Sequence, residues 1–191
     1  MTIEGDSVEY ELLRKWTLEL PLPENPKHVT TAEIGVRRGL GSKIIMMAMQ
    51  MKLKDIPYHH IAIDPYNNLS YVHFDNQEPI TANYDDEMKK EMLEDFKDEK
   101  NFLFFHMTDR EFMNRFSKEE VIYDLVHFDG PHTTVDVLRE AVWFADRSRV
   151  GTRFVFDDYK YYQMKSVYQA LHWWDFKVLE KGDHKICLQK V

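Results

Sequence analysis

The chain is poor in several features, and each scarcity excludes a class of protein. Cys187 is its single cysteine, which excludes an internal disulfide and a zinc site built from cysteines. No segment approaches the ~20 apolar residues of a membrane-spanning helix, and the polar, acidic residues 1–6 lack the basic start and apolar core of a signal peptide. We therefore expect a cytoplasmic protein with no membrane partner.

Positive charge is also scarce. The 25 lysines and arginines are outnumbered by 33 aspartates and glutamates, which gives a net charge of −8, and the basic residues are scattered among the acids. Proteins that bind nucleic acids usually do so through clustered basic side chains that contact phosphates. The composition therefore predicts no nucleic-acid partner and favours a small-molecule substrate.

The 191 residues, 43 % of them hydrophobic, are enough for one domain with a sizeable core. Short apolar strands alternate with helical patterns, which is typical of βαβ units around a mainly parallel sheet. We predict an α/β fold, a three-layer α/β/α sandwich with a mostly parallel seven-stranded sheet that ends in an antiparallel hairpin at Lys181-Gly182-Asp183. The predicted strands are 28–35, 60–64, 101–106, 123–129, 152–157, 176–179 and 185–189.

The helical patterns also assign positions to individual side chains. Ser42 is expected to cap the second helix, and His59 and His60, which come before a strand, are expected at the surface. Trp173 and Trp174 are expected to pack the last helix on the sheet. The predicted helices are 7–20, 42–54, 85–99, one starting at Thr108 or Asp109, 133–146 with Val135, Leu138, Val142 and Ala145 facing inward, and 161–173.

Residues 1–27 are interpreted as an N-terminal helix and linker, and residues 28–191 as the main domain. Within that domain, residues 65–84 interrupt the alternation with asparagines, aromatic residues and Pro79. Because this insertion follows the second strand at the predicted ligand-binding edge, it could close over a substrate as a lid. A long structured loop with an oligomer contact, consistent with a homodimer, explains it equally well.

The first motif is the segment 33–42, Glu-Ile-Gly-Val-Arg-Arg-Gly-Leu-Gly-Ser, between the first strand and the second helix. Its glycines let the backbone turn sharply and approach a ligand, and the helix behind it offers unpaired N–H groups. Glu33 suits a cationic amine better than a pyrophosphate, and the dinucleotide pattern G-x-G-x-x-G is not present in register. A glycine-rich turn of any α/β protein remains the alternative.

The remaining signals are four acids at the ends of predicted strands, namely Asp64, Asp129, Asp157 and Asp158. Asp64 ends the second strand, where an acid can accept the hydroxyls of a ribose, or can simply cap a turn. Asp129 ends the fourth strand, and Asp157 and Asp158 end the fifth. Clustered acids repel one another unless a cation lies between them, and a hard divalent metal prefers such oxygen ligands. The alternative is that Asp129 touches a cofactor while Asp157 and Asp158 cap the next helix.

Taken in order, these segments resemble the class I S-adenosylmethionine-dependent methyltransferases, which have a Rossmann-like fold. The resemblance covers residues 28–190 and is strongest to macrocin-type O-methyltransferases and relatives of catechol O-methyltransferase. It rests on the segments 33–39, 123–132 (Tyr-Asp-Leu-Val-His-Phe-Asp-Gly-Pro-His) and 155–159 (Val-Phe-Asp-Asp-Tyr) and on Asp64. The resemblance implies S-adenosylmethionine as cofactor, bound through Glu33, Gly35, Val36, Arg37, Gly39, Asp64, Thr108, Asp109 and Asp129.

The resemblance also implies the chemistry. Asp129, Asp157 and Asp158 would bind Mg²⁺ or another divalent metal, as the matching acids do in catechol-type enzymes. His132 stands where those enzymes carry a lysine that takes the substrate proton, and a histidine could serve as that base; packing beside Asp129 is the alternative. Arg37 stands where many members have glycine.

We expect methyl transfer to a hydroxyl of a sugar or phenol, with Asp129 and His132 in the catalytic centre. The alternatives are a metal-independent methyltransferase and a non-catalytic nucleotide-binding module.

Overall fold

The computed structural model describes residues 4–5, 7–54 and 56–191. Over these ranges the strands and helices alternate as the sequence pattern predicts. The helices are α1 (Tyr10–Leu18), α2 (Leu40–Leu53), α3 (Asp86–Asp95), α4 (Asp109–Arg115), α5 (Thr134–Ala145) and α6 (Met164–Leu171), followed by a 3-10 turn over His172–Trp174. The strands are β1 (Val29–Ile34), β2 (Tyr58–Ile63), β3 (Ser70–Tyr71), β4 (Ile80–Thr81), β5 (Phe102–Phe105), β6 (Tyr123–Phe128), β7 (Ser148–Phe156), β8 (Phe176–Lys181) and β9 (Ile186–Lys190).

Seven of the described strands form one sheet in the order β5-β2-β1-β6-β7-β9-β8. The first five of these pair in parallel, and β9 inserts antiparallel between β7 and β8. The predicted fold class is confirmed, including the C-terminal antiparallel hairpin. The insertion 65–84 forms a separate two-stranded hairpin from β3 and β4.

Both faces of the sheet are covered by helices. One core cluster joins the sheet to α1, α2 and α3 through side chains such as Trp16, Met49 and Met92. The other joins it to α4, α5 and α6 through Phe112, Phe144 and others. All six residues of β1 are buried, as expected of a parallel strand covered on both sides. These two layers of helices make the three-layer sandwich.

The strand order places a crevice between β1 and β6. The chain leaves β1 toward β2 on one side and leaves β6 toward β7 on the other, so the two crossovers diverge. In open α/β sheets, ligands bind at such a switch point, outside the carboxyl ends of the strands. The predicted site residues that follow β1 and β6 therefore face one another.

Several expectations about single side chains were wrong. The inner face of α5 is built on Val137, Ala141 and Phe144, with Ala145 as predicted, whereas Val135 is 67 % exposed. The helix is rotated about its axis relative to the prediction. The face formed by Val137, Ala141 and Phe144, at spacing i, i+4 and i+7, includes the aromatic ring of Phe144 and turns toward the core. Leu138 and Val142 are half-buried at the edge of that face.

The tryptophan pair and the histidine pair each divide between core and surface. Trp174 packs against the core and donates from Nε1 to Asp146 Oδ1 at 2.9 Å, but Trp173 is 84 % exposed. His59 is exposed as expected, whereas His60 is fully buried, because β2 begins two residues earlier than predicted and its alternate residues face the two helical layers. Within the described ranges, no helix is long and apolar enough to cross a membrane.

Candidate active site

A cavity of about 620 Å³ opens at the carboxyl ends of the parallel strands. Its volume lies in the range of small-molecule and cofactor sites. Among the predicted site residues, Gly39 is the one that does not line it. The predicted residues in its wall are Glu33, Gly35, Val36, Arg37, Asp64, Thr108, Asp109, Asp129, His132, Asp157 and Asp158.

Asp64 holds the loop that follows β1. Its Oδ2 accepts hydrogen bonds from the backbone N–H groups of Val36 (2.8 Å) and Arg37 (3.0 Å), and its Oδ1 accepts one from Tyr66 N–H (2.9 Å). Burial raises the pKa of Asp64 and outweighs these three donors, which lower it. The side chain predicted to hold a ribose therefore also fixes the cofactor loop to the end of β2.

Gly39 and Ser42 start α2 in a way the sequence pattern did not predict. Gly39 precedes the helix with φ of 84°, in the left-handed region, and an added Cβ would lie 2.5 Å from the Phe96 ring. Gly39 turns the chain into α2 at the edge of the cavity, and its assignment as a cofactor-binding residue stays a prediction. Ser42 lies inside the helix rather than at its cap, and its hydroxyl donates to Glu33.

Glu33 is bound on both sides by other buried side chains. His127 Nδ1 lies 2.8 Å from Glu33 Oε1, and Ser42, which contacts the other oxygen, also lies 2.9 Å from His60 Nε2. Burial lowers the pKa of His60 to about 4, although the charge of Glu33 acts to raise it. A buried polar chain thus runs from β2 across β1 to β6 beneath the cavity, and Thr31 Oγ1 ends it at 2.9 Å from His60 Nδ1.

The opposite wall is formed by the start of α4. Thr108 caps this helix in a capping box, in which its side chain accepts from Glu111 N–H and the Glu111 carboxylate accepts from Thr108 N–H. Asp109 pairs with Arg139 of α5 at 2.6 Å. Both of these predicted cofactor-binding residues therefore lie on a well-anchored helix start.

Asp129 and Asp157 form a coupled carboxyl pair at the other end of the cavity. Burial, followed by the negative charge of Asp157, raises the pKa of Asp129 well above its usual value. Burial acts in the same direction on Asp157, but the charge of Lys185 and the hydrogen bond from Asp129 prevail and lower its pKa. The pKa values of the two neighbouring carboxyls are thus shifted in opposite directions, and Lys185 is in direct contact with Asp157.

His132 is a buried histidine whose ring nitrogens have no hydrogen-bond partner in the described part of the chain. Its Nε2 lies 3.9 Å from Asp129 Oδ1. Burial lowers the pKa of His132 to about 3, with a smaller contribution from the nearby His73. The ring is therefore neutral, and the residue lies in the wall of the cavity with both ring nitrogens covered by neighbouring atoms.

The inserted hairpin packs directly on His132. The backbone N–H of His132 donates to the carbonyl of His73 at 2.8 Å, and the Phe74 ring stacks on the imidazole at 5.7 Å between centroids. Asp75 secures the hairpin by accepting from the backbone N–H of Thr134 at 3.0 Å and from its hydroxyl. The insertion therefore forms the wall of the cavity beside His132, and its role as a lid stays a prediction.

Asp158 does not join the other two acids. It has φ of 46°, which turns the chain, and its Oδ1 lies 3.1 Å from His184 Nδ1. The donor groups that do come together among the described residues are Glu33 with His127 and Asp129, and Asp129 with His132 and Asp157. The predicted set of three acids is therefore not assembled.

Sequence reasoning missed Lys185, whose Nζ lies 2.7 Å from Asp157 Oδ1. It also missed Ser7, which contacts both Asp157 and Lys185. A lysine directly before the apolar run 186–188 was the available signal, since the start of a buried strand is a costly place for an unpaired charge. Because Lys185 already neutralises Asp157, the site does not fit a metal bound through this pair, and no metal step is derived.

The comparisons with known proteins agree with the fold. A family model described as a methyltransferase domain matches residues 32–159, and the chain belongs to this family. The predicted resemblance to class I methyltransferases is thereby confirmed. No curated protein sequence matches the chain significantly.

Solved structures with the same fold methylate different kinds of molecule. The O-methyltransferase NovP has a TM-score of 0.62 at 12 % identity, with 95 % of this chain and 79 % of NovP covered. Precorrin-6y C5,15-methyltransferase from Geobacter metallireducens GS-15 has a TM-score of 0.59 at 11 % identity, with 99 % of this chain and 94 % of that protein covered. The 16S rRNA methyltransferase RsmC of T. Thermophilus, in complex with AdoMet and guanosine, has a TM-score of 0.57 at 14 % identity, with 100 % of this chain and 44 % of RsmC covered.

Proposed function

We propose that this chain transfers a methyl group from S-adenosylmethionine to a hydroxyl oxygen of a small molecule, with His132 as the general base. The observation that carries the proposal is the neutral, unpartnered imidazole of His132 at the wall of a cavity in a methyltransferase domain. A hydroxyl is a weak nucleophile until its proton leaves, so a base in this position suits an oxygen acceptor.

The residues of the cavity fit S-adenosylmethionine. Gly35 lines the cavity, and the loop that carries it packs against the backbone of Asp129, with which an added Cβ would collide. Glu33 offers a buried carboxylate toward the methionine end, and Asp64, with about four acceptor sites, has about one left for a ribose hydroxyl beyond its three backbone donors. When bound, S-adenosylmethionine supplies a methyl group on a positively charged sulfur, which keeps the electron pair of the carbon–sulfur bond after transfer.

The protein side chains position the acceptor and receive its proton. The backbone N–H of His132 donates to the His73 carbonyl and its ring stacks on Phe74, so the imidazole is packed in the cavity wall. It takes the proton that the acceptor hydroxyl loses as the oxygen bonds to the methyl carbon. The imidazolium formed in this way lies 3.9 Å from Asp129 Oδ1, and the negative charge of Asp157 offsets part of the cost that burial places on the charged ring. Alignment of the two reactants supplies much of the rate enhancement.

The size and charge of the site favour a small acceptor. The hairpin of β3 and β4 and the N-terminal residues Ser7 and Tyr10 line the cavity beside Asp129 and Asp157, which follow strands β6 and β7. These walls leave an opening suited to a sugar or phenol, and the net charge of −8 disfavours nucleic acid.

The direct test combines ligand binding with a transfer assay. We expect isothermal titration to detect S-adenosylmethionine and not NAD, and radiolabelled donor to methylate members of a panel of phenols and sugars. His132→Gln should lower kcat by roughly 10²–10⁴-fold while leaving donor affinity within about twofold, because the ring is not part of the donor loop. His172→Gln, an exposed histidine at the end of α6, is the matched control. Binding of NAD alone, transfer to amines alone, or full activity of His132→Gln would contradict the proposal.

A further inference from the structure

Lys185 is a fully buried cation at the edge of the sheet where the sequence pattern predicted a metal. It directly precedes β9, and its side chain is 0 % exposed. The ammonium Nζ lies 2.7 Å from Asp157 Oδ1, 2.6 Å from Ser7 Oγ and 3.4 Å from His127 Nε2. Through His127 this ammonium also continues the buried polar chain that ends on Glu33.

Glu9 holds the backbone of this lysine in place. Its carboxylate accepts from the N–H groups of Asp183 (2.7 Å), His184 (2.9 Å) and Lys185 (2.8 Å), so one side chain binds three successive residues of the β8–β9 turn. The ring of Tyr10 lies 5.3 Å from Lys185 Nζ on the same side. The N-terminal segment therefore covers Lys185 and closes it off from water.

The pairing with Asp157 conflicts directly with a metal. A divalent cation bound at the pair of acids would have Asp129 and Asp157 as ligands, with His132 as the third donor that comes together there. Lys185 already contacts Asp157, and a dication beside a buried ammonium would be repelled in a medium of low dielectric. Lys185 cannot move far, because the turn that carries it is bound at three backbone positions by Glu9.

We propose that Lys185 takes the place of a divalent metal in this chain, so that its ammonium provides the permanent positive charge for the Asp129–Asp157 pair and methyl transfer needs no metal. Lys185 is a positioning residue, because it acts through Asp157 on Asp129 and does not line the cavity itself. The test of this inference by transfer activity rests on the proposed function. The test by metal binding does not, because it requires no methyl transfer.

The first experiment titrates Mn²⁺ into the intact chain and follows it by electron paramagnetic resonance. We expect the wild type to show no Mn²⁺ binding that depends on Asp129 or Asp157. Lys185→Met removes the charge and keeps the length of the side chain, so it should create a Mn²⁺ site that the added change Asp157→Asn abolishes. Lys181→Met, an exposed lysine in β8 of the same hairpin, is the matched control and should bind none.

The second experiment measures transfer activity in a chelator and with added Mg²⁺. We expect the wild type to be unaffected by either, and Lys185→Met to lose at least tenfold in kcat and regain part of it with Mg²⁺. Lys185→Arg should keep activity without metal. Metal rescue is a readout that a purely structural lysine would not produce.

Wild-type binding of Mn²⁺ that Asp129→Asn removes would overturn the proposal, and so would a folded Lys185→Met that gains no site. If Lys185→Met does not fold, the wild-type titration decides alone: Asp129-dependent binding overturns the proposal and its absence supports it. Failure of methyl transfer in the wild type, with these metal results unchanged, would count against the proposed function instead.

Discussion

The backbone at Gly35 lies against the backbone of Asp129, so that a Cβ added to Gly35 would be 2.1 Å from the Asp129 carbonyl oxygen. The two residues follow adjacent parallel strands, and the N–H of Asp129 donates to the carbonyl of Ile34 at 2.9 Å. Gly35 also has φ of +81°, which favours glycine. The cofactor half and the chemistry half of the cavity therefore meet at a position where no side chain fits.

The first prediction concerns this contact. Gly35→Ala should lower the affinity for S-adenosylmethionine by at least about tenfold. The reason is that the loop 35–37 must move away from Asp129 to make room for the Cβ of the alanine. Isothermal titration measures the affinity, and urea unfolding measures the accompanying loss of stability.

The control for that variant is Gly151→Ala. Gly151 also has a positive φ, of 93°, and a Cβ there would lie 3.1 Å from the Pro21 carbonyl, far from the cavity. Its loss of stability should come without a loss of donor affinity. Equal donor affinity in Gly35→Ala and the wild type would contradict the assignment of this loop.

The second prediction concerns the pH dependence of stability. Burial lowers the pKa of His60 to about 4, below the ordinary value of 6.5, so the unfolded chain binds more protons than the fold between these two values. Stability from this residue is present above pH 6.5 and is lost as the pH falls toward 4, by about 3 kcal/mol in total. His60→Asn should flatten that part of the stability curve, measured by urea unfolding at stepped pH.

His59 provides the comparison, since it is the exposed neighbour on the same strand. His59→Asn should leave the slope between pH 4 and 6.5 unchanged. A wild-type slope that survives in His60→Asn would mean that another group takes up the proton.

The third prediction concerns Glu140 on the inner face of α5. Burial raises the pKa of this carboxyl well above its usual value, and the charge of Asp109 adds to the effect. The folded pKa exceeds the unfolded one, so stability is present below about pH 4.5 and decreases as the pH rises toward the folded pKa. Glu140→Gln, which keeps the shape without the acid, should raise the free energy of unfolding at pH 8 by more than about 1 kcal/mol.

The gain should disappear at pH 4, where the carboxyl is neutral in both states. Glu119→Gln, at an exposed position, should change stability at neither pH. A Glu140→Gln variant that is less stable at pH 8 would indicate that the ionised carboxylate has a favourable partner in the fold.

The order of strands and helices was readable from the sequence because it depends on local patterns. Apolar runs of four to six residues, separated by helical spacing, indicate parallel strands covered on both faces; β1 and β6 match their predicted bounds closely, whereas β7 begins four residues before its predicted start at residue 152. The glycine loop after β1 and the acids at the ends of β2, β6 and β7 were found for the same reason: each lies next to a strand end, where the topology places ligands. Helix rotation was less predictable, as α5 illustrates, because the direction of a helical face is decided by the layer on which it packs.

The sequence by itself determined that this chain builds a methyltransferase domain with acids and a histidine at one edge of the sheet. The tertiary structure decided which of those groups lie beside a charged partner and which have no hydrogen-bond partner among the described residues. Lys185 reaches Asp157 only because β9 inserts beside β7, and Asp158 is drawn away by His184 from the same turn. Burial keeps His132 neutral and raises the pKa of Asp129, and burial is a property of the packed layers rather than of any segment.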